Sequence, residues 1–411
     1  MRRFILVTTG LVLLLCLVAP PTSAVREHNR FLQPQDYIVN STADPGDGIC
    51  NLAQCTLREA ITAANGDGEV SNIAFNIPPS DGGYNPSTGV WTIDLDSNLP
   101  ALTDEATGVM GSTQTGNQGD TNPYGPEIAV NGGSSHYCFR LWSAYNTIEG
   151  LAINQCTKGI VIAGSEVHHN SIRGNYIGLH AQGTAASGNT EDGIYIGYSS
   201  DNTIGGSTTN ERNMISGNGV RGVFVFGDDA ARNIIAGNYI GTDSSGLVDV
   251  GNVYGVIISG GAQDNDIGPD NIIAYNDDHG VWISGSATIS NTVTQNSIHT
   301  NVGKGIHLSD GANGNLAAAY DVVGWCLGGH AYSGADLTWE AFSDFDAEGR
   351  FFELTGGTAT GSFTFWPAGN MFRYPYVTLT VTDADGNTSE FSDPFPSDCL
   401  FRYLPLSMKG Y

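Results

Sequence analysis

Two short patterns alternate through the middle of this chain, and together they leave few folds open. Gly-[Ile/Val]-x-[Ile/Val/Leu] occurs at Gly159–Ile162, Gly193–Ile196, Gly222–Val225, Gly255–Ile258, Gly280–Ile283 and Gly305–Leu308. Between these stands Asn-x-Ile-x-x-Asn, opening at Asn170, Asn213, Asn233, Asn271 and Asn296. Repeats of 20–35 residues, built from short β-branched runs and turn residues, are the mark of a solenoid. Helices are a poor alternative: glycine makes up 55 of 411 residues, and no 3.6-residue apolar stripe runs through the region. The pentapeptide GNYIG, at Gly174–Gly178 and again at Gly237–Gly241, is one tooth of this repeat.

Within each Gly-Ile-x-Ile unit the two aliphatics flank one variable residue, so they share a sheet face. Stacked at about 4.8 Å, such strands pair in parallel and their aliphatics form a continuous core. The variable residue faces outward and reads Val161, Tyr195, Phe224, Ile257, Trp282 and His307 in order. The closing asparagines (Asn175, Asn218, Asn238, Asn276 and Asn301) are expected to stack as one ladder, since Asn tolerates left-handed turns and bonds its neighbours. Turn composition alone is the competing explanation. The stretches LHAQGTAASGNT and TDSSGLVDVGNV lengthen alternate coils at the same corner, so the 63 residues between the two GNYIG copies are two coils. Insertions on one face of a solenoid often mark its binding face.

Ahead of the coils, Thr56 with Glu59 forms a capping box, and Leu57, Ala60, Ile61 and Ala64 line one apolar face of a short helix. Such a helix suits the open end of a solenoid, whose terminal coil exposes unpaired backbone. The stretch DGICNLAQCTLREAITAAN resembles the CSLREA-type N-terminal motif of secreted bacterial right-handed parallel β-helix proteins, with Thr56 in place of the motif's Ser. NTIEGLAI, GNYIGTDSSG and NTIGGSTTNERNMISGN are similar to that family's coils, and the likeness runs from about Tyr37 to Asp310. The resemblance implies an all-β, right-handed parallel β-helix and an extracytoplasmic location, and it brings no catalytic residues. After Asp310 alternating strands separated by Gly and Asp-Gly turns suggest a small antiparallel sandwich. TDADGNTSEFS resembles the closing strands of immunoglobulin-like modules. The expected organisation is a signal peptide over 1–24, a cap over 37–75, the β-helix over 76–312, an immunoglobulin-like β-sandwich over 318–396 and a tail over 397–411.

The start of the chain has Arg2 and Arg3, an apolar run from Phe4 to Val18 and small residues up to Ala24, the order of a secretory signal peptide. No other segment is apolar enough to cross a bilayer, so the mature chain is expected to be secreted or held at the cell surface. Six cysteines then remain, and the expected pairs are Cys50–Cys55, Cys138–Cys156 and Cys326–Cys399, among fifteen connectivities. A formal charge of −26 argues against nucleic acid and anionic membranes as partners. Extracellular polysaccharide or cell-surface components fit better.

Chemistry is harder to find. A glycosidase needs two placed carboxylates, and the most suggestive group is Asp277, Asp278 and His279, near Asp266 and Asp270. These residues fill a corner where polar side chains belong anyway. Polysaccharide lyase chemistry needs a base and a cation, but the few Lys and Arg of the coils do not recur at one position. Asp201, Asp229 and Asp264 follow consecutive opening glycines at similar distances and are a candidate acidic row for Ca²⁺, against the alternative of ordinary turn residues. Asp383, Asp385 and Asn387 resemble the start of a calcium loop but lack its closing Glu, which favours a hairpin turn. The outward residues Tyr195, Phe224, Trp282 and His307 are the candidate glycan platform. The sequence therefore favours a binding scaffold, with a polysaccharide lyase or glycoside hydrolase as the alternative.

Overall fold

Each coil turns three corners and leaves one short strand in each of three sheets. Ser171–Arg173, Tyr176–Ile177 and Asp192–Gly197 are the strands of one such coil. The first and second sheets hold nine strands and the third holds seven. All pairs are parallel except Tyr84–Asn85, which runs antiparallel to Val90–Asp94. The chain is a parallel β-helix followed by an antiparallel module. The structure, a computed structural model, describes residues 35–397 apart from 47–48, 326–327, 334–336, 346–347, 358–360 and 367–371.

The core follows from register. In the first sheet Ile148, Ile172, Ile204, Ile235, Ile267 and Val293 are successive in-register partners. Ile153, Ile177, Ile215, Ile240, Ile273 and Ile298 do the same in the second. The paired aliphatics of Gly-Ile-x-Ile supply the third wall, and Ile194, Ile196, Val223 and Val225 are all fully buried. Full burial of each such side chain stabilises by about 1.5–3 kcal/mol. β-branched residues suit both the strand and the stacking.

Asparagine ladders hold the corners, but there are three of them. Asn175, Asn213, Asn238, Asn271 and Asn296 form one, linked Nδ2 to Oδ1 at 2.9–3.1 Å. Asn189, Asn218, Asn252, Asn276 and Asn301 form a second. Asn170, Asn202, Asn233, Asn265 and Asn291 form a third. The single ladder expected from the closing asparagines is thereby corrected. Asn175 and Asn238 stand at one corner, and Asn218, Asn276 and Asn301 at another. The reason is that Asn-x-Ile-x-x-Asn brackets a first-sheet strand in NSIRGN and NIIAGN, but a second-sheet strand in the other three copies.

The ladders also explain the opening glycines. A Cβ on Gly222 would lie 2.7 Å from the Gly255 carbonyl oxygen and 3.1 Å from the Asn252 side-chain nitrogen. Toward the N-terminus Cys156 takes the ladder position, its N–H donating to Asn189 Oδ1 at 2.9 Å. There a disulfide to Cys138, on the adjacent coil, replaces the amide link. Cys50–Cys55 is formed as well, while Cys326 and Cys399 lie outside the described residues, as do the signal segment and most of the C-terminal tail.

Both ends of the solenoid are covered. The helix Leu57–Asp67 carries the complete Thr56–Glu59 capping box and buries Leu57, Ala60, Ile61 and Ala64. It is an excursion between Gln35–Val39 and Ser71–Phe75, which already pair as the first strands of the first sheet. The cap is thus part of the β-helix rather than a separate segment before it. At the other end the antiparallel module supplies hydrogen bonds to the last coil of every sheet. Thr388 Oγ1 accepts from Val293 N (3.0 Å), Gly349 exchanges both backbone bonds with Ile298 (2.9 and 2.7 Å), and Glu390 accepts from Leu308 N (2.9 Å). That module consists of a three-stranded and a four-stranded antiparallel sheet around Ala331, Trp339, Phe363, Phe365, Val377 and Leu379. Asp383 Oδ1 accepts from the N–H groups of Asp385 and Asn387, which makes that run the expected tight turn. Asn387 then accepts from Ser290 N of the solenoid at 2.6 Å.

Candidate functional site

The outward row of the third sheet is in unbroken register. Val161 pairs with Tyr195, Tyr195 with Phe224, Phe224 with Ile257, Ile257 with Trp282, and Trp282 with His307. Every member but the buried Ile257 is half-buried, which is what a side chain standing on a pleated surface beside others of its kind must be. The antiparallel module seals the end of the solenoid, and among the described residues its ion pair with this row is that of Glu390 with His307.

Rings extend beyond the row. Residues just before opening glycines reach the row: Lys158 and Arg221 lie over its rings, and Tyr254 and His279 lie beside Trp282. Tyr254 lies 5.4 Å from Trp282 between ring centroids, His279 6.0 Å from Trp282, and His307 4.3 Å from His279. Trp282 and His307 are close to parallel, at 29°. Trp282 Nε1 donates to Ser309 Oγ at 2.9 Å, so the indole is oriented by its own coil neighbour. Tyr195, Phe224, Phe226 and Tyr198 form a second cluster with centroids 5.5–5.7 Å apart.

The two clusters differ in what covers them. Arg221 lies 4.0 Å above the Phe224 ring and Lys158 5.4 Å from that of Tyr195. Both cations are held by Asp192, which is fully buried beneath them; Arg221 Nε is 2.9 Å from it. Burial alone would push Lys158 down, but its bonds to Asp192 and Glu191 outweigh this and hold the ammonium above the usual lysine range. Phe224 is therefore already stacked on a guanidinium. The Tyr254–His279–Trp282–His307 cluster has no such cation over its rings among the described residues.

Asp277, Asp278 and His279 occupy the corner ahead of this cluster. Asp277 is exposed, and Asp278 Oδ1 is 3.5 Å from His279 Nδ1. His279 Nδ1 accepts the Lys304 N–H at 2.9 Å, which fixes the tautomer and occupies the lone pair a general base would use. Burial lowers the His279 pKa despite the Asp278 charge. The ring is thus neutral, aromatic and tied. Asp266 belongs to the first sheet, on another wall of the coil.

The acidic row resolves differently from expectation. Asp201, Arg232 and Asp264 precede the successive corner asparagines in left-handed conformations, with φ of 58°, 54° and 57°. Arg232 stands where Asp229 was expected, and it binds Asp201 through Nε (2.7 Å) and a terminal nitrogen (2.8 Å). Asp229 is exposed in the turn after Arg221–Phe226. Among the described residues no three His, Cys, Asp or Glu side chains converge as metal ligands.

Sequence reasoning found the central row and singled out His279 only as part of a weak catalytic group; it missed the place of His279 beside the row, and missed Tyr254, Tyr198 and Phe226. A signal for two of them was present: Tyr254 and His279 each directly precede an opening glycine. Among the described residues no helix is long and apolar enough to cross a membrane. No protein-family profile matches this chain, and no curated protein does either.

Proposed function

We propose that this protein is an extracellular β-helix scaffold of the CSLREA-type kind, exported by its N-terminal signal and binding glycans on the outward face of its third sheet. The observation that carries the reading is the in-register row ending in the uncovered Tyr254–His279–Trp282–His307 cluster. Aromatic faces take up the apolar faces of sugar rings, while flanking hydroxyl and imidazole groups satisfy sugar hydroxyls. Two disulfides suit an oxidising compartment. No catalytic step is part of this reading. Affinity electrophoresis through neutral polysaccharides tests it. Ring stacking contributes about 1–3 kcal/mol by alanine substitution in the comparable case of nucleobases, so Trp282→Ala should weaken retention about tenfold. A thermal melt run alongside should fall only modestly. A large loss of stability with unchanged retention would make the row a structural support.

One groove favours the hydrolase alternative. Glu127, Glu149, Arg173 and Glu211 line a cavity of about 510 Å³ on the far side of the coil. Burial pushes Glu127 up, whereas hydrogen bonds from Thr208 hold Glu211 down. A raised acid and an ionised carboxylate lining one groove are the division of labour in glycoside hydrolysis. Glu149, however, is engaged by Arg173 at 2.8 Å and by Ser112 at 2.9 Å. Release of reducing ends from any polysaccharide, abolished by Glu127→Gln, would replace the scaffold reading.

A further inference from the structure

In so acidic a chain, a cation without a carboxylate partner stands out. Of the ten described Lys and Arg residues, Arg58, Lys158, Arg173, Arg221, Arg232 and Lys304 have carboxylate partners. Arg140 instead donates to the Leu99 carbonyl at 2.6 Å. The remaining three, Arg212, Arg350 and Arg373, make no ion pair among the described residues, and all three line one cavity of about 450 Å³. They reach it from segments far apart in sequence: a loop of the solenoid, and two separate parts of the antiparallel module.

The groove is built around them. Arg212 lies 4.2 Å over Tyr239, and its Nε donates to the Gly237 carbonyl at 3.1 Å; among the described residues its terminal nitrogens have no partner. Arg373 and Arg350 flank Phe351 at 5.2 and 6.0 Å. Contact with a ring favours each guanidinium at this position, most closely for Arg212. The two walls are locked together: buried Glu340 accepts from Thr294 Oγ1 (2.5 Å) and Gln295 N (2.9 Å), and Ser297 Oγ donates to the Arg350 carbonyl. Exposed Ser207, Thr209 and Gln295 at the rim offer hydroxyl and amide groups. Asp270 also lines the cavity without pairing with any of the three.

Three guanidiniums without ion pairs among the described residues, lining one cavity, form a receptor for a planar or tetrahedral oxyanion. The hydroxyl-bearing and amide side chains around them match the hydroxyl groups of a sugar. The volume is that of a small-molecule site rather than a track for an extended polyanion, and the surrounding negative surface repels nucleic acid. We propose that this groove binds an acidic saccharide unit, its carboxylate or sulfate held by Arg212, Arg350 and Arg373. The site is separate from the third-sheet platform and stands without it.

The test is titration calorimetry on the mature protein at low and high salt. The probes are an oligogalacturonate, its methyl ester and a sulfated oligosaccharide. Binding of either acid, weakened at high salt, absent for the ester and about tenfold weaker in Arg373→Gln, is expected. The acid that binds identifies the oxyanion. Arg373 is exposed, so this variant should fold as the parent does; the Arg212→Gln, Arg350→Gln, Arg373→Gln triple variant should lose binding altogether. Trp282→Ala should leave this affinity unchanged, which separates failure here from failure of the platform. Equal affinity for the ester, undiminished affinity in Arg373→Gln, or no binding of either acid at millimolar concentration would overturn the proposal.

Discussion

Asn238 tests whether the ladders carry the solenoid or merely decorate it. Its side chain is fully buried. Nδ2 donates to the carbonyls of Ile204 (2.8 Å) and Ala236 (3.0 Å) and to Asn271 Oδ1 (3.1 Å). Oδ1 accepts from Asn213 N (3.3 Å) and Asn213 Nδ2 (2.9 Å). Asn238→Ala strands those two buried donors, whereas Asn271 Oδ1 keeps the Asn238 N–H at 2.9 Å. At ~1–3 kcal/mol for each stranded group, the loss should be about 2–6 kcal/mol. Asn72→Ala is the control, because among the described residues its side chain bonds only Asp36, in an exposed contact at 3.2 Å, and should stay within about 0.5 kcal/mol. Asn238→Asp separates donor loss from shape: it keeps the acceptor but turns an ionisable oxygen toward the Ile204 and Ala236 carbonyls. Folding must raise that carboxyl's pKa. The variant should therefore be most stable below the unfolded value of ~3.9 and lose stability as pH rises through the folded one. Urea midpoints across pH 3–8 give both readings. An Asn238→Ala midpoint equal to that of Asn72→Ala refutes the argument.

Two further perturbations probe register and docking. Ile196 is fully buried and Tyr195 half-buried, so Ile196→Asp should cost several kcal/mol and Tyr195→Asp much less, with equal melting losses ruling out the register. Burial raises the pKa of Glu340 above the ordinary glutamate range even though Thr294 and Gln295 donate to it. Its contribution is thus fully present below the unfolded pKa and lost as pH rises through the folded one. Wild-type stability should decline from pH 4 to 7 relative to Glu340→Gln, and parallel pH profiles would contradict the buried assignment.

What could be read from the sequence is what repeats. The aliphatic pairs announce a stacked core because strand alternation is local, and the capping box at Thr56 and Glu59 is local too. The asparagine corners could be read only in part. A six-residue motif states that a strand lies between two asparagines, but not which of three sheets that strand joins. That depends on the residues intervening since the last corner, which vary from coil to coil. Arg232 in the supposed acidic row shows the same limit, since distance from an opening glycine does not count corners. The joints made by Gly349, Thr388 and Glu390, and the meeting of Arg212 with Arg350 and Arg373, link segments with no common pattern.

Register alone would align any outward residue with its counterpart on the next coil, so alignment by itself says nothing of use. Composition does. The outward row of the first sheet runs through Ser171, Thr203, Ile234, Asp266 and Thr292. That of the second runs through Ala152, Tyr176, Met214, Tyr239, Ile272 and Ser297. The first mixes polar side chains with one aliphatic and has no ring, and the second mixes polar and aliphatic side chains with two tyrosines. The third sheet concentrates its rings on neighbouring coils, and it draws more of them from the position before the opening glycine and from strand ends. Core formation does not require this, because the inward Ile and Val residues already hold the wall. Sheet propensity favours aromatics on a half-buried face, yet it acts on all three walls alike. The difference between the walls is therefore the feature that points to a ligand, and it singles out the Trp282 end, where no guanidinium lies over the rings.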